Sequence, residues 1–222
     1  MINYPRIHHL VPGRGTRDDL VLGETEVRNL LRVPTRVEEK LDGANVHVWW
    51  EDGWLRCATR SGEGGQDRAG QLGPLRAWLA TRADQLRPLL ERGSVLFGEW
   101  LLLEHSIHYS SLPAFLIGLD IWDPELGWLD ADQRDEGLTA AGLTLPPVIH
   151  RGVVGSLEGL ERLLGPSRVG GSMMEGLVVR RLDGGEPRLA KFVAPSFRQI
   201  DEAAWRSGRP HNEVRIEEAS WH

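Results

Sequence analysis

The stretch Glu38-Glu39-Lys40-Leu41-Asp42-Gly43-Ala44-Asn45-Val46-His47-Val48-Trp49-Trp50-Glu51-Asp52-Gly53-Trp54-Leu55-Arg56-Cys57-Ala58-Thr59 decides how the rest of the chain is read. Residues 45–51 alternate towards a strand, Asp52-Gly53 is a two-residue turn, and residues 54–59 return. Side chains alternate across a strand, and Asp-Gly accepts the positive φ values that a tight turn between twisted strands demands. The stretch therefore predicts a β-hairpin. Just ahead of it, Asp42-Gly43 predicts a tight turn that sets a carboxylate beside the amine of Lys40.

Outward from this hairpin, residues 175–181 and 188–193 predict a second one around Asp183-Gly184-Gly185. Residues 95–102 and 114–122 are apolar runs of strand length. Leu75, Trp78, Leu79, Leu86, Leu89 and Leu90 recur at helical spacing, which predicts one helix over 74–92 stopped by Gly93. Two shorter helices are expected over 130–141 and 156–164, with Asp130 and Ser156 as N-caps and Gly142 and Gly165 as stops. A last helix is expected from Pro195, and residues 1–36 read as loops and short elements. Hairpins mixed with inserted helices imply an α+β fold built mainly on antiparallel sheets.

Composition narrows the function classes. A chain of 222 residues with 41% apolar and 26% charged residues reads as an ordinary soluble globular protein with one sizeable core. Its net charge of −6 argues against a coat of nucleic acid held by bulk charge. Locally, Arg180, Arg181, Arg188, Lys191 and Arg198 precede an acidic tail at 212–222 and form a candidate phosphate-binding face. Cys57 is the single cysteine, so no intrachain disulfide forms and a reducing compartment fits. The first residues lack the apolar run of a signal peptide, and no stretch approaches the roughly 20 apolar residues of a membrane span. A cytoplasmic location is expected. The eight histidines offer no zinc-like spacing.

The lysines carry more information than the charge total. Of 26 basic residues only Lys40 and Lys191 are lysine. Arginine keeps its proton in proteins, whereas lysine becomes neutral in the right surroundings and then attacks an electrophile. Around the two lysines, in chain order, stand Arg60-Ser61-Gly62, Phe97-Gly98-Glu99-Trp100, Leu119-Asp120-Ile121-Trp122 and Glu175-Gly176-Leu177-Val178-Val179-Arg180. Taken singly, Glu99 reads as an edge carboxylate, Arg60 as a surface cation and Asp120 as a capping or pairing group.

Taken together, this series resembles the covalent nucleotidyltransferase superfamily of polynucleotide ligases and capping enzymes. It is most similar to small ATP-dependent RNA ligases of phage, bacterial and archaeal type, over roughly residues 37–205. The resemblance implies a nucleotidyltransferase architecture, the ATP-grasp-like adenylation domain of ligases. It implies a single adenylyltransferase domain over 1–222, with 1–36 as an N-terminal extension packed on it. Only 31 residues follow Lys191, so no C-terminal OB domain is expected.

The resemblance also implies a chemistry. Lys40 would attack the α-phosphorus of ATP to form lysyl-AMP, with Lys191 on the α-phosphate and Mg²⁺ or Mn²⁺ offsetting the leaving group. Glu175 would work near the metal through water, and Asn45 near the metal and phosphate. Arg60 and Glu99 would hold the ribose hydroxyls, Glu38 and Glu39 would help read the purine, and Leu119 would face the base. AMP would pass to an RNA 5′-phosphate and be displaced by a 3′-hydroxyl, with His105, Arg180 and Arg188 towards the RNA and Tyr109 beside its path. Expected partners are RNA ends and a separate end-healing kinase or phosphatase in RNA repair, with no membrane.

Two positions depart from the family pattern. An aromatic residue usually stands where Leu119 is, with Trp122 the alternative base partner here. A cation usually stands where Leu189 is; Arg188 adjoins it, although alternation sends Arg188 to the opposite strand face. Three other readings stay open beside the RNA ligase: a GTP-dependent capping guanylyltransferase, a nick-sealing DNA ligase, and a non-catalytic nucleotide or RNA-end binding module.

Overall fold

Asp52 and Gly53 both adopt positive φ, 50° and 83°, as the tight turn of the first hairpin requires. The computed structural model describes residues 2–12, 20–59, 70–170, 172–186, 188–200 and 208–215. In chain order these form β1 (His8–His9), α1 (Glu24–Leu31), β2 (Thr35–Lys40), β3 (Ala44–Glu51) and β4 (Trp54–Thr59). There follow α2 (Leu72–Ala80), α3 (Ala83–Leu90), β5 (Val95–Trp100), β6 (Leu116–Asp123), β7 (Gly127–Trp128) and α4 (Ala131–Ala140). The chain continues with β8 (Val148–Gly152), α5 (Leu157–Glu161), β9 (Gly176–Arg181) and β10 (Leu189–Val193).

The chain divides into two compact units. One comprises Met1–Tyr4, Asp42–Leu145 and Ile200–His222; the other comprises Pro5–Leu41 and Pro146–Gln199. The first holds an antiparallel sheet in the order β4-β3-β5-β6-β7. Its core includes Leu75, Trp78, Leu79, Leu86 and Leu90 from α2 and α3, all 2% exposed or less. Burying each such side chain is worth about 1.5–3 kcal/mol against leaving it in water.

The second unit holds the sheet β1-β10-β9-β2-β8. All its pairings are antiparallel except β1 with β10. Val37, Leu177, Val179, Ala190 and Phe192 form one apolar face, packed in a cluster with Val27, Leu30 and Leu31 of α1. The α+β class with mainly antiparallel sheets is as the sequence implies. Both hairpins form, and Asp130 and Ser156 are the N-caps of α4 and α5. Among the described residues no helix is long and apolar enough to cross a membrane.

Three expectations change. The single helix over 74–92 is two helices, because Thr81 Oγ1 donates to Trp78 O at 2.7 Å and takes the carbonyl a continuing turn would use. Gly93 still ends the second helix, at φ 95°. No helix starts at Pro195. Phe197 N closes a turn on Ala194 O at 3.1 Å, and Arg198 Nη1 donates to the Pro195 and Phe197 carbonyls, each at 2.8 Å. Residues 1–36 contain a full helix, α1, and the first two residues of β2, which spans 35–40. The sequence reading missed β2 because its buried positions include Arg36, Glu38 and Glu39 rather than an apolar alternation.

Candidate active site

Lys40 ends β2, and its Nζ donates to Glu175 Oε2 at 2.7 Å. The lysine side chain is 24% exposed and the glutamate 8%, so the pair is largely withdrawn from solvent. Glu175 stands immediately before β9, where Ala194 N donates to its carbonyl at 2.8 Å. Strand pairing thus brings together residues that lie far apart in sequence, and a carboxylate this close holds the amine as an ammonium hydrogen-bond donor. It is Glu175, not Asp42, that supplies the carboxylate on the amine.

Register places the rest of this face. Across β2, β9 and β10, Lys40 is opposite Gly176, which is opposite Val193; Glu38, Val178 and Lys191 form the next row; Arg36, Arg180 and Leu189 the next. Directly opposed residues share a face, so Lys40 and Lys191 lie on one side of the sheet. Gly176 leaves the floor between Lys40 and Val193 without a side chain. A Cβ there would lie 2.3 Å from Phe192 O and 2.8 Å from Val193 Cα, so this close approach of backbones admits glycine alone.

The polar face is tightly paired. Arg36 Nε lies 2.9 Å from Glu38 Oε1, and Arg180 Nη2 lies 3.7 Å from Glu38 Oε2, with all three side chains 3% exposed or less. Arg180, expected towards RNA, is therefore buried against Glu38. It also stands directly across from Leu189, on the face of Lys191, where Arg188 was considered as the neighbouring cation. Arg188 precedes β10, and its amide donates to Glu186 Oε2 at 2.8 Å. Arg36 escaped the sequence reading, although Arg36, Glu38 and Lys40 recur at strand spacing.

Glu39 faces the other way. Its carboxylate accepts from Ser167 Oγ at 2.6 Å and from Arg168 N at 2.8 Å. Burial pushes the Glu39 carboxyl above its ordinary value, and these two hydrogen bonds pull it part of the way back. They tie β2 to the 165–174 segment, where Met174 N donates to Gly165 O at 3.1 Å, just before Glu175.

The first unit carries the other candidates. Gly43 N donates to Glu99 Oε1 at 3.0 Å, and Asn45 is opposite Glu99 in the β3–β5 ladder. Asp42 Oδ2 accepts from Ser106 N at 2.6 Å and Ile107 N at 3.0 Å, while Asp42 N donates to the Tyr109 hydroxyl at 2.9 Å. The Asp42-Gly43 turn is thus held by a loop and a strand of its own unit. Tyr109 is fully buried, so it braces this turn and does not line an open path. Asn45 Oδ1 is buried and accepts no hydrogen bond among the described residues. A buried carbonyl oxygen without a donor suits a hard divalent cation or a water bound to one. Among the described residues no group of three or more His, Cys, Asp or Glu side chains could hold a metal by itself.

Leu119 is half-buried at a bulge. Phe97 is opposite Asp120 and Gly98 opposite Gly118, which leaves Leu119 as the extra residue of β6. Bulges of this kind re-aim a side chain. Leu119 O accepts from Arg134 Nη1 at 3.0 Å. Asp120 pairs, accepting from the Tyr4 hydroxyl at 2.6 Å. Trp122 is half-buried beside the cluster of Trp49, Ala58, Val95 and Phe97. His105 Nε2 lies 3.1 Å from Gln71 Nε2. Arg60, expected on the ribose, lies outside the described residues, as does the glycine loop at 62–65.

A family model described as RNA ligase matches residues 34–193. No curated protein matches the chain. Among solved structures it is similar to a Naegleria gruberi RNA ligase with PPi, at TM-score 0.57 and 20% identity over 83% of this chain and 57% of that one. It is also similar to a mutant of that RNA ligase with ATP and Mn, at TM-score 0.56 and 17% identity over 87% of this chain and 60% of that one. A mutant apo form gives TM-score 0.56 and 17% identity, over 87% and 56%. The chain spans less than two thirds of the length of these structures.

Proposed function

The chain belongs to the RNA ligase family, and on that footing we propose that it is an ATP-dependent RNA ligase working through a lysyl-AMP intermediate on Lys40. The observation that carries this reading is the Lys40–Glu175 contact at 2.7 Å, with Lys191 on the same face of the sheet. A strand-end lysine largely withdrawn from solvent among buried charges is placed for chemistry, since an exposed solubilising lysine needs no such setting.

In this reading the Lys40 amine, once rid of its proton, attacks the α-phosphorus of ATP. The N–P bond forms as the P–O bond to pyrophosphate breaks. Lys191 offsets charge on the α-phosphate, and Arg180, opposite Leu189, stands in for the cation missing there. Asn45 and Glu175 are the residues that would hold Mg²⁺ or Mn²⁺, Glu175 through water. The metal would supply charge neutralisation for the triphosphate. Glu99 would hold the ribose, Leu119 would pack on the base, and Glu38 would help to place the purine; Glu39, expected beside it, faces away from Lys40 and is held by Ser167 and Arg168.

The second half of the reaction passes AMP to an RNA 5′-phosphate, and a 3′-hydroxyl then displaces it. The substrates are thus RNA ends of that chemistry, with end-healing supplied by a separate kinase or phosphatase. The test is intact mass after incubation with ATP and Mg²⁺ or Mn²⁺, beside Lys40→Ala. A shift of one AMP in the wild type alone supports the reading; no shift with ATP, GTP or NAD refutes it and favours a non-catalytic nucleotide-binding module.

A further inference from the structure

Residues 208–215 run along the 101–112 segment of their own unit. Leu103 is bridged to His211 and Leu112 to Val214. Asn212 N donates to Leu102 O at 2.9 Å, and Glu213 N to Tyr109 O at 2.8 Å. Within this strap Asn212 is 3% exposed. Its Nδ2 donates to Leu101 O at 2.8 Å and its Oδ1 accepts from Tyr109 N at 2.8 Å. One side-chain amide therefore bridges both ends of the 101–109 loop.

That loop is what grips Asp42. Ser106 N and Ile107 N donate to the Asp42 carboxylate, and the Tyr109 hydroxyl accepts from the Asp42 amide. Asp42 is two residues along the chain from Lys40, and its neighbour Gly43 donates to Glu99. We propose that Asn212 is a positioning residue for adenylyl transfer, acting through Tyr109 and the 101–109 loop on the turn that follows the nucleophile. The inference rests on the ligase reading above.

The chemistry singles out an amide. A carboxamide donates and accepts at once, which both ends of the loop require. Aspartate would set an oxygen against the Leu101 carbonyl, and alanine would remove both of these hydrogen bonds. No motif announces this residue, since its role depends on where the tail returns.

The experiment is single-turnover AMP attachment at saturating ATP in wild type, Asn212→Ala, Tyr109→Phe and the double variant, with thermal unfolding measured alongside. Each single variant is expected to slow the step by about tenfold, because small displacements of reacting groups are costly, while half-saturation by ATP moves less than about threefold. The double variant is expected to be no slower than the slower single one, as both act along one chain of contacts. Wild-type rate in Asn212→Ala, or losses that multiply in the double variant, overturns the inference. Tyr109→Phe keeps the ring and removes one oxygen, so it decides the matter if Asn212→Ala fails to fold: a wild-type rate there overturns the inference too. A wild type that takes up no AMP removes the ligase reading itself.

Discussion

Lys40 and Glu175 are 135 positions apart in the chain, and their side chains meet at 2.7 Å. The contact follows from register, since Lys40 pairs with Gly176, the residue after Glu175. It turns the Lys40 amine towards a buried carboxylate.

Replacing Lys40 separates chemistry from folding. Lys40→Arg keeps a cation near Glu175 but cannot supply a neutral amine, so the AMP adduct is expected to vanish from the intact-mass spectrum. Thermal unfolding should show a folded protein, because Lys40→Arg keeps a cation for the Glu175 carboxylate, and a hydrogen bond to a charged group contributes only about 1.5–3 kcal/mol. An adduct of wild-type yield in Lys40→Arg would remove Lys40 as the nucleophile.

Gly176→Ala tests the sheet beneath the site. The added Cβ would press on the Phe192 carbonyl at 2.3 Å, so β10 must shift and carry Lys191 with it. The expected cost is about 2–3 kcal/mol, read as a lower denaturant midpoint, with slower AMP attachment. A variant with unchanged midpoint and rate would show that β10 yields freely.

Glu39 predicts a pH dependence. Burial raises its folded-state pKa above the ordinary 4.5. The folded state then holds a proton that the unfolded chain gives up, so this group's contribution falls as pH rises from 4.5 through the folded value. Glu39→Gln, whose amide can still accept from Arg168 N, should flatten the stability profile over that window. Parallel profiles for the two proteins would contradict the assignment.

Leu119→Phe tests the base-facing position. An aromatic face at the bulge should tighten ATP binding by about 3–10-fold, the equivalent of roughly 0.5–1.5 kcal/mol of ring stacking. Titration with ATP in the Lys40→Ala background reads binding without turnover. Equal or weaker affinity would mean that Leu119 does not face the base.

The hairpins were legible from local chemistry. Asp52-Gly53 accepts positive φ at both positions, and residues 45–51 alternate, so turn and strands specify one another. Asp130 and Ser156 were legible as helix starts for the same reason, because a cap bonds to amides two or three residues away. Lys40, Glu99, Glu175 and Lys191 were recognisable from residue type and order, since a chain rich in arginine keeps lysine at two motif positions.

What the sequence determined by itself was therefore whatever depends on neighbours along the chain: the α+β class, the turns and the caps, with Lys40, Glu99, Glu175 and Lys191 as candidates for nucleotidyl transfer. Long-range pairing decided the rest. Strand β2 hid its place because its buried residues are charged, and only β9 and β8 on either side give those charges a sheet to lie in. The partner of Lys40 was assigned to Asp42 by proximity in sequence, yet register delivers Glu175 and the Ser106 and Ile107 amides claim Asp42. The sequence sends Arg180 towards RNA and is silent on Asn212, because each takes its place from a residue opposite it across a strand or a loop. Hydrogen bonds and ion pairs act over a few ångströms in space, and only the folded chain fixes which distant residues fall within that range.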